Sequence, residues 1–318
     1  MVDMSTTLAG TTLPNPVMTA SGCAANGKEL HRFFPVSELG AFVTKTVMRD
    51  PRSGRGTPRM AETASGMLNS IGLQGPGIDA FAAEDLPWLD SVGARALVSI
   101  AGNTAEEFGE VAERLADSPA FASVVGVEVN ISCPNVANRG LVFACDAASS
   151  ERVVSIVRER LPGTPIFAKL TPDVTDIVSI AAAALAAGAD GLTMINTLLG
   201  MVIDTDRLRP QLAGVTGGLS GPAVRPVAVR ALFQVTAAMR AGAIPTAPLI
   251  GVGGVRTGRD ALELVAAGAS AVQVGTATFN DPAAPRRVLD ELEAEVARHG
   301  FVRVADVVGI AHERLVRP

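Results

Sequence analysis

VVGVEVNISCPN, residues 124–135, is an apolar run that ends in a cluster of small polar groups around one cysteine. Val124, Val125, Val127, Val129 and Ile131 are β-branched, and the run is too short for an ordinary helix, so it reads as a buried parallel strand. Pro134 ends it, because proline has no N–H to give a strand ladder. Asn130, Ser132, Cys133 and Asn135 therefore stand where strand gives way to loop. In a parallel α/β protein that edge of the sheet is where sites are built.

Seven similar runs flank this one, at 17–21, 41–47, 96–101, 165–171, 191–197, 248–255 and 271–277. Between them lie stretches with helical spacing, at 104–115, 148–161, 176–187, 226–241 and 259–267. Strand and helix alternate throughout, and eight β/α units in this length predict an α/β fold of the TIM (β/α)8 barrel type, with a doubly wound sheet as the alternative. Two intervals between runs are much longer than the others. The first, 48–77, is rich in Gly, Pro, Arg and Ser and contains NSIGLQGPG (69–77); the second, 198–220, runs into GVTGGLSG (214–221). Both are expected to be loop excursions over the C-terminal face, because long loops in compact domains commonly serve as lids or binding segments. Ahead of the first run, TLAGTTLPNPV (7–17) alternates well enough for an N-terminal β-hairpin that closes the barrel's bottom. No repeat, linker or low-complexity tract divides the chain, so residues 1–318 are expected to form a single domain.

Composition narrows the function. With 318 residues, 48% of them hydrophobic, the chain can bury a large core. A net charge of −5 offers no basic face for nucleic acid, and no apolar run reaches membrane-spanning length. The opening MVDMSTTLAG lacks a charged segment followed by an apolar one, so nothing marks a signal peptide and a cytoplasmic location is expected. Cys23, Cys133 and Cys145 form no CxxC, and only three histidines accompany them. That argues against a disulfide framework, a zinc site or a cysteine-ligated iron–sulfur cluster in this chain.

Lysine usage points to a site. Only Lys28, Lys45 and Lys169 are lysines among the 27 basic residues, and two of them interrupt strand runs, in AFVTKTV and PIFAKLT. A buried ammonium needs an anionic or hydrogen-bonding partner. Either lysine alone reads equally well as half of a structural ion pair; two at equivalent strand ends favour a binding site. Asn69, Asn103, Asn130, Asn135 and Asn196 all fall at strand ends or in the first excursion, where amides suit a flat heterocycle or a flavin. Taken singly, each asparagine is more simply a turn residue. Glycine-rich IGVGGVRTGRD (250–260) and VQVGTATF (272–279) follow the last two runs, where barrels often hold a phosphate on backbone N–H groups.

These residues resemble a known family. NPVMTASG (15–22), TKT (44–46), NSIGLQ (69–74), SIAGNT (99–104), VNISCPN, AKLTPDVTDI (168–177), ADGLTMINTLLG (189–200), GGLSGPA (217–223), IGVGGV and VGTA are similar to the class 1 dihydroorotate dehydrogenases over nearly the whole chain. ADGLTMINT followed by GGLSGPA favours the NAD-linked class 1B catalytic subunits over the fumarate-linked class 1A. The resemblance implies one FMN per chain, held by Ala20, Ser21, Lys45, Thr46, Asn103, Asn130, Lys169 and Ile195 around the ring and ribityl chain. Gly221, Gly253, Gly254, Gly275 and Thr276 would complete that site toward the phosphate. It implies that dihydroorotate and orotate contact Lys45, Asn69, Ser70, Ile71, Gly72, Leu73, Asn130, Asn135, Asn196 and Thr197, and that Cys133 is the catalytic base. Oxidation would remove a proton from C5 and a hydride from C6, the hydride passing to flavin N5. The family's class 1B members assemble as heterotetramers of two catalytic and two electron-transfer subunits, the latter carrying FAD and an iron–sulfur cluster. FACDAA (143–148) and NVANRG (135–140) depart from the usual pattern of the loop around the cysteine. A flavin barrel of the dihydropyrimidine dehydrogenase type is the alternative from the same resemblance; it usually carries histidine after the Cys-Pro pair, where this chain has Asn135.

Overall fold

The computed structural model describes residues 2–132 and 143–313. Eight parallel strands form one sheet: β1 (Val17–Thr19), β2 (Phe42–Val43), β3 (Ala96–Ile100), β4 (Val124–Val129), β5 (Ile166–Leu170), β6 (Gly191–Met194), β7 (Leu249–Val252) and β8 (Ala271–Val274). Their spatial order is β1-β8-β7-β6-β5-β4-β3-β2. The two ends of that order meet through a parallel bridge between Met18 and Ala41, and the Val43 amide donates to the Thr19 hydroxyl at 2.8 Å. The sheet thus closes into the (β/α)8-type barrel expected from the sequence.

Six longer helices pack outside it: α1 (Ala105–Ala116), α2 (Ala147–Arg160), α3 (Ile177–Ala186), α4 (Arg225–Arg240), α5 (Gly258–Ala267) and α6 (Ala284–Arg298). Side-chain caps fix where four of them start. Thr104, Asp146, Asp176 and Thr257 accept from backbone N–H groups of the first turn of α1, α2, α3 and α5. A further helical stretch, 78–91, follows β2 and contains a π-turn at Phe81–Asp85.

The expectation of eight full β/α units is corrected at the first unit. After β1 the chain makes only two 3₁₀ turns, Leu30–Arg32 and Val36–Glu38. The reason is local. Gly22, Ala25 and Gly27 take positive φ, and Pro35 is extended, so no run of residues is left long enough for a helix. Gly27 also lets the chain approach closely: a Cβ there would lie 3.0 Å from the Trp88 ring.

The barrel interior is filled in layers. At the bottom, Leu8 and Leu13 of the hairpin Thr6–Leu8/Thr11–Leu13 pack on Met18, Ala41, Val43, Leu97, Phe167, Ile250 and Ala271, so the hairpin stoppers the barrel. At the other end the two excursions join. Met60–Thr63 and Gly66–Asn69 from the first pair with Gly217–Ser220 and Leu198–Gly200 from the second as one four-stranded antiparallel sheet. Gly218 pairs with Asn69 in that sheet. A Cβ on Gly218 would sit 2.0 Å from the Thr197 hydroxyl, so glycine is required where this sheet crosses the end of the barrel. No helix among the described residues is long and apolar enough to cross a membrane.

Candidate active site

Inward-pointing positions turn polar toward the strands' C-terminal ends. Above the apolar plug, Ser99, Glu128, Lys169, Thr193 and Gln273 are buried on β3, β4, β5, β6 and β8. Lys169 Nζ donates to Glu128 Oε1 at 3.1 Å, and Gln273 Nε2 donates to Glu128 Oε2 at 2.8 Å. Glu128 is wholly buried, so a carboxylate there is tolerable only with both partners in place.

Above this layer lies a cavity of about 740 Å³. Its floor is made by Ala20, Lys45, Asn130, Lys169, Ile195 and Gly275, and its roof by Met60, Met67, Asn69 and Leu219 from the excursion sheet. Along one wall runs a chain of hydrogen bonds. Ser21 and Thr46 hydroxyls lie 2.9 Å apart, and Asn130 Nδ2 donates to Thr46 at 3.1 Å. Asn196 Nδ2 donates to Asn130 Oδ1 at 3.2 Å and to the Ser132 hydroxyl at 2.8 Å. Such a network fixes the amide orientations before any ligand arrives. On the opposite side Gly221, Gly253, Gly254, Gly275 and Thr276 line the mouth.

Glycine is needed in that wall. Gly253 and Gly254 take positive φ, and Cβ atoms on them would lie 2.9 Å from Ala228 Cβ and 2.7 Å from Arg225 Cβ. A bare backbone of this kind suits an anion, and Arg256 also lies on the cavity wall.

Of the residues expected at the site, Ala20, Ser21, Lys45, Thr46, Asn69, Ile71, Gly72, Leu73, Asn130, Lys169, Ile195, Asn196 and Thr197 line the cavity together with the five residues of its glycine side. Two lie off its wall. Asn103 donates to Glu107 at 2.7 Å and accepts from Arg52 at 3.0 Å, which ties it to the start of α1. Ser70 is buried and accepts from Arg55 at 3.2 Å. Cys133 and Asn135 lie outside the described residues. The sequence reading did not single out Glu128, Gln273 or Cys23. A signal existed for the first two: a Glu in VEV and a Gln in VQV interrupt strands otherwise built of apolar residues, just as the two lysines do.

Cys23 shares the cavity wall, where a Cβ on Gly275 would lie 3.3 Å from its sulfur. Burial pushes the thiol up to about 11, against a smaller opposing pull from Lys169 and Lys45. At pH 8 the thiolate fraction is then on the order of a thousandth. Iodoacetamide at that pH is expected to modify Cys23 roughly a hundredfold more slowly in the folded chain than in the same chain unfolded in urea, the gap closing as pH approaches the thiol's own value. Peptide mapping by mass spectrometry measures both rates, and equal rates would contradict the burial of this thiol.

A closed (β/α)8 barrel with two lysines, a string of amides and a glycine-lined mouth converging on one cavity defines a barrel enzyme of the kind that acts on small polar ring compounds. The chain matches the family described as dihydroorotate dehydrogenase over residues 3–296, and it belongs to that family. It is 49% identical to the protein named dihydroorotate dehydrogenase B (NAD(+)), catalytic subunit, of Geobacter sp. (strain M21), across 96% of this chain and 97% of that one. The proteins of the same name from Pelobacter propionicus and Geobacter sulfurreducens are also 49% identical, covering 96% of this chain and 98% and 97% of theirs.

Proposed function

We propose that the chain is the catalytic subunit of an NAD-linked dihydroorotate dehydrogenase, oxidising (S)-dihydroorotate to orotate in de novo synthesis of UMP. The observation that carries this reading is the convergence of Lys45, Lys169, Asn130 and Asn196 with two glycine loops on one cavity. The cavity fits FMN: amides and hydroxyls for a flat ring on one side, and on the other a bare glycine backbone, where a Cβ would clash with the neighbouring chain, suited to a phosphate. When bound, FMN supplies the hydride acceptor, at its N5. Lys169 stands by to stabilise negative charge on the reduced ring. Lys45, from β2's C-terminal extension, would hold the substrate and reach the cofactor, and Asn69, Asn130, Asn196 and Thr197 would hydrogen-bond the substrate's amide edges. Cys133 takes the C5 proton. One FMN-binding domain, 1–318, serves each catalytic subunit, located in the cytoplasm. A partner subunit carrying FAD and an iron–sulfur cluster, in a tetramer of two catalytic and two electron-transfer chains, passes the electrons on to NAD.

The test is anaerobic mixing of the purified yellow chain with candidate substrates. Dihydroorotate is expected to bleach the flavin at once, and dihydrouracil to leave it oxidised over the same interval. Bleaching by dihydrouracil in preference would favour the dihydropyrimidine dehydrogenase type of chemistry, and a colourless chain that takes up no added FMN would refute the reading outright.

A further inference from the structure

Glu128 touches neither the cavity nor the solvent, yet its carboxylate forms an ion pair with the cavity lysine Lys169. Its two oxygens are used separately, one for Lys169 Nζ and one for Gln273 Nε2. These three side chains come from β4, β5 and β8, so the ion pair is braced across the barrel rather than along one strand pair. A strand-borne lysine has four rotatable side-chain bonds and loses much freedom when fixed. A carboxylate that is itself held by an amide donor removes that freedom before any ligand enters.

We propose that Glu128 is a positioning residue, which with Gln273 behind it holds the Lys169 ammonium at the cavity floor and thereby sets how strongly the site favours reduced over oxidised FMN. This rests on the FMN reading above. The groups facing Lys169 are few among the described residues: Glu128 from β4, Gln273 from β8, Thr193 as its register partner on β6, and Lys45 and Cys23 across the cavity. The electrostatic pull of both lysines on the Cys23 thiol is consistent with ammonium groups directed into the cavity. Glu128 acts only through Lys169. Removing it leaves the buried lysine without its anionic anchor, so its charge would no longer be held in place toward the edge of a reduced ring.

The experiment is a double-mutant cycle on the full chain, Glu128→Gln, Lys169→Met and both together. Two quantities are read that do not depend on turnover: the FMN dissociation constant after flavin removal, by fluorescence, and the midpoint potential of the reloaded flavin against a reference dye. Lys169→Met is expected to lower the preference for reduced flavin about tenfold, about 30 mV for a two-electron couple. Glu128→Gln should shift the potential in the same direction by a similar factor, and the double variant should be no worse than either single. Glu128→Asp keeps the charge but withdraws it by one methylene, and should recover part of the shift. If Glu128→Gln does not fold, Gln273→Leu removes the brace alone and should give a smaller shift of the same sign. An unchanged potential in Glu128→Gln, a shift of opposite sign, or additive effects in the double variant would overturn the proposal. Failure of the wild-type chain to bind FMN at all would instead overturn the functional reading, so the two failures are distinguishable.

Discussion

Replacing Cys133 with alanine is expected to slow reduction of the bound flavin by dihydroorotate by a factor of about 100 to 10,000, while leaving the chain folded and yellow. The size of the effect follows from the scarcity of other carboxylate, imidazole or thiol bases among the described residues. His31 packs edge-on against Trp88, His299 lies at the end of α6, and His312 stacks on Phe233; none of the three lines the cavity. Asp281 does reach the cavity wall, but it is committed to Arg287 at 2.9 Å. Glu128 lies beneath the floor and is committed to Lys169 and Gln273. Cys23 is present in the cavity as a thiol pushed up to about 11, which leaves almost no thiolate at neutral pH. Cys133 remains. The residue before it in sequence, Ser132, accepts from Asn196 and donates to Asn130. An ordinary cysteine has a pKa of about 8.5, so flavin reduction by the wild-type chain should quicken as pH rises through that region, the base being competent only when deprotonated. Cys133→Ser should keep weak activity that improves further into alkali. Anaerobic stopped-flow absorbance resolves all three rates, and an alanine variant bleaching at the wild-type rate would show that some other group takes the proton.

How much of this was legible beforehand depends on the range of the interactions involved. The eight strands were readable because each lies in a short, mostly apolar run, a purely local signal. The bottom hairpin was readable for the same reason. The excursion sheet was not: its central pairing joins Asn69 to Gly218, 149 residues apart, and no local pattern announces a partner at that distance. The missing first helix was hidden in a segment whose glycines and proline could as well have bounded a short helix. Lys169 was singled out and Glu128 was not, because a lone lysine in an apolar strand is conspicuous in a chain with three lysines, whereas one glutamate among 32 acidic residues is not. Asn103 shows the opposite limit. It follows a strand run, but Glu107 in the first turn of α1 captures its amide and draws it off the cavity wall.

The isolated chain is expected to bleach its FMN with dihydroorotate and to reduce artificial dyes, yet to produce NADH at no measurable rate until an electron-transfer subunit is added. The cavity accounts for the first half. Its floor is polar, its roof is the excursion sheet, and the glycine loops line the mouth, so a flavin ring and substrate bound as proposed would share one space. A nicotinamide able to take a hydride from the same flavin would have to stack on that ring within about 3.5 Å, in the space the substrate uses. Electrons can leave instead one at a time through a redox centre outside the cavity, which needs no such stacking. This chain does not supply that centre from its own cysteines: an iron–sulfur cluster commonly takes four thiolates, and the sequence holds three cysteines, with Cys23 on the cavity wall and Cys145 exposed. The relatives' shared designation as NAD(+)-linked catalytic subunits fits a division of labour in which the second chain carries the remaining carriers. Steady-state absorbance with dihydroorotate and NAD, before and after adding a purified electron-transfer subunit, separates the steps. NADH formation should rise from background to the rate of dye reduction on addition. Steady NADH production by the chain alone would show that it reaches the nicotinamide directly, and efficient turnover with fumarate as sole acceptor would move it to the fumarate-linked class.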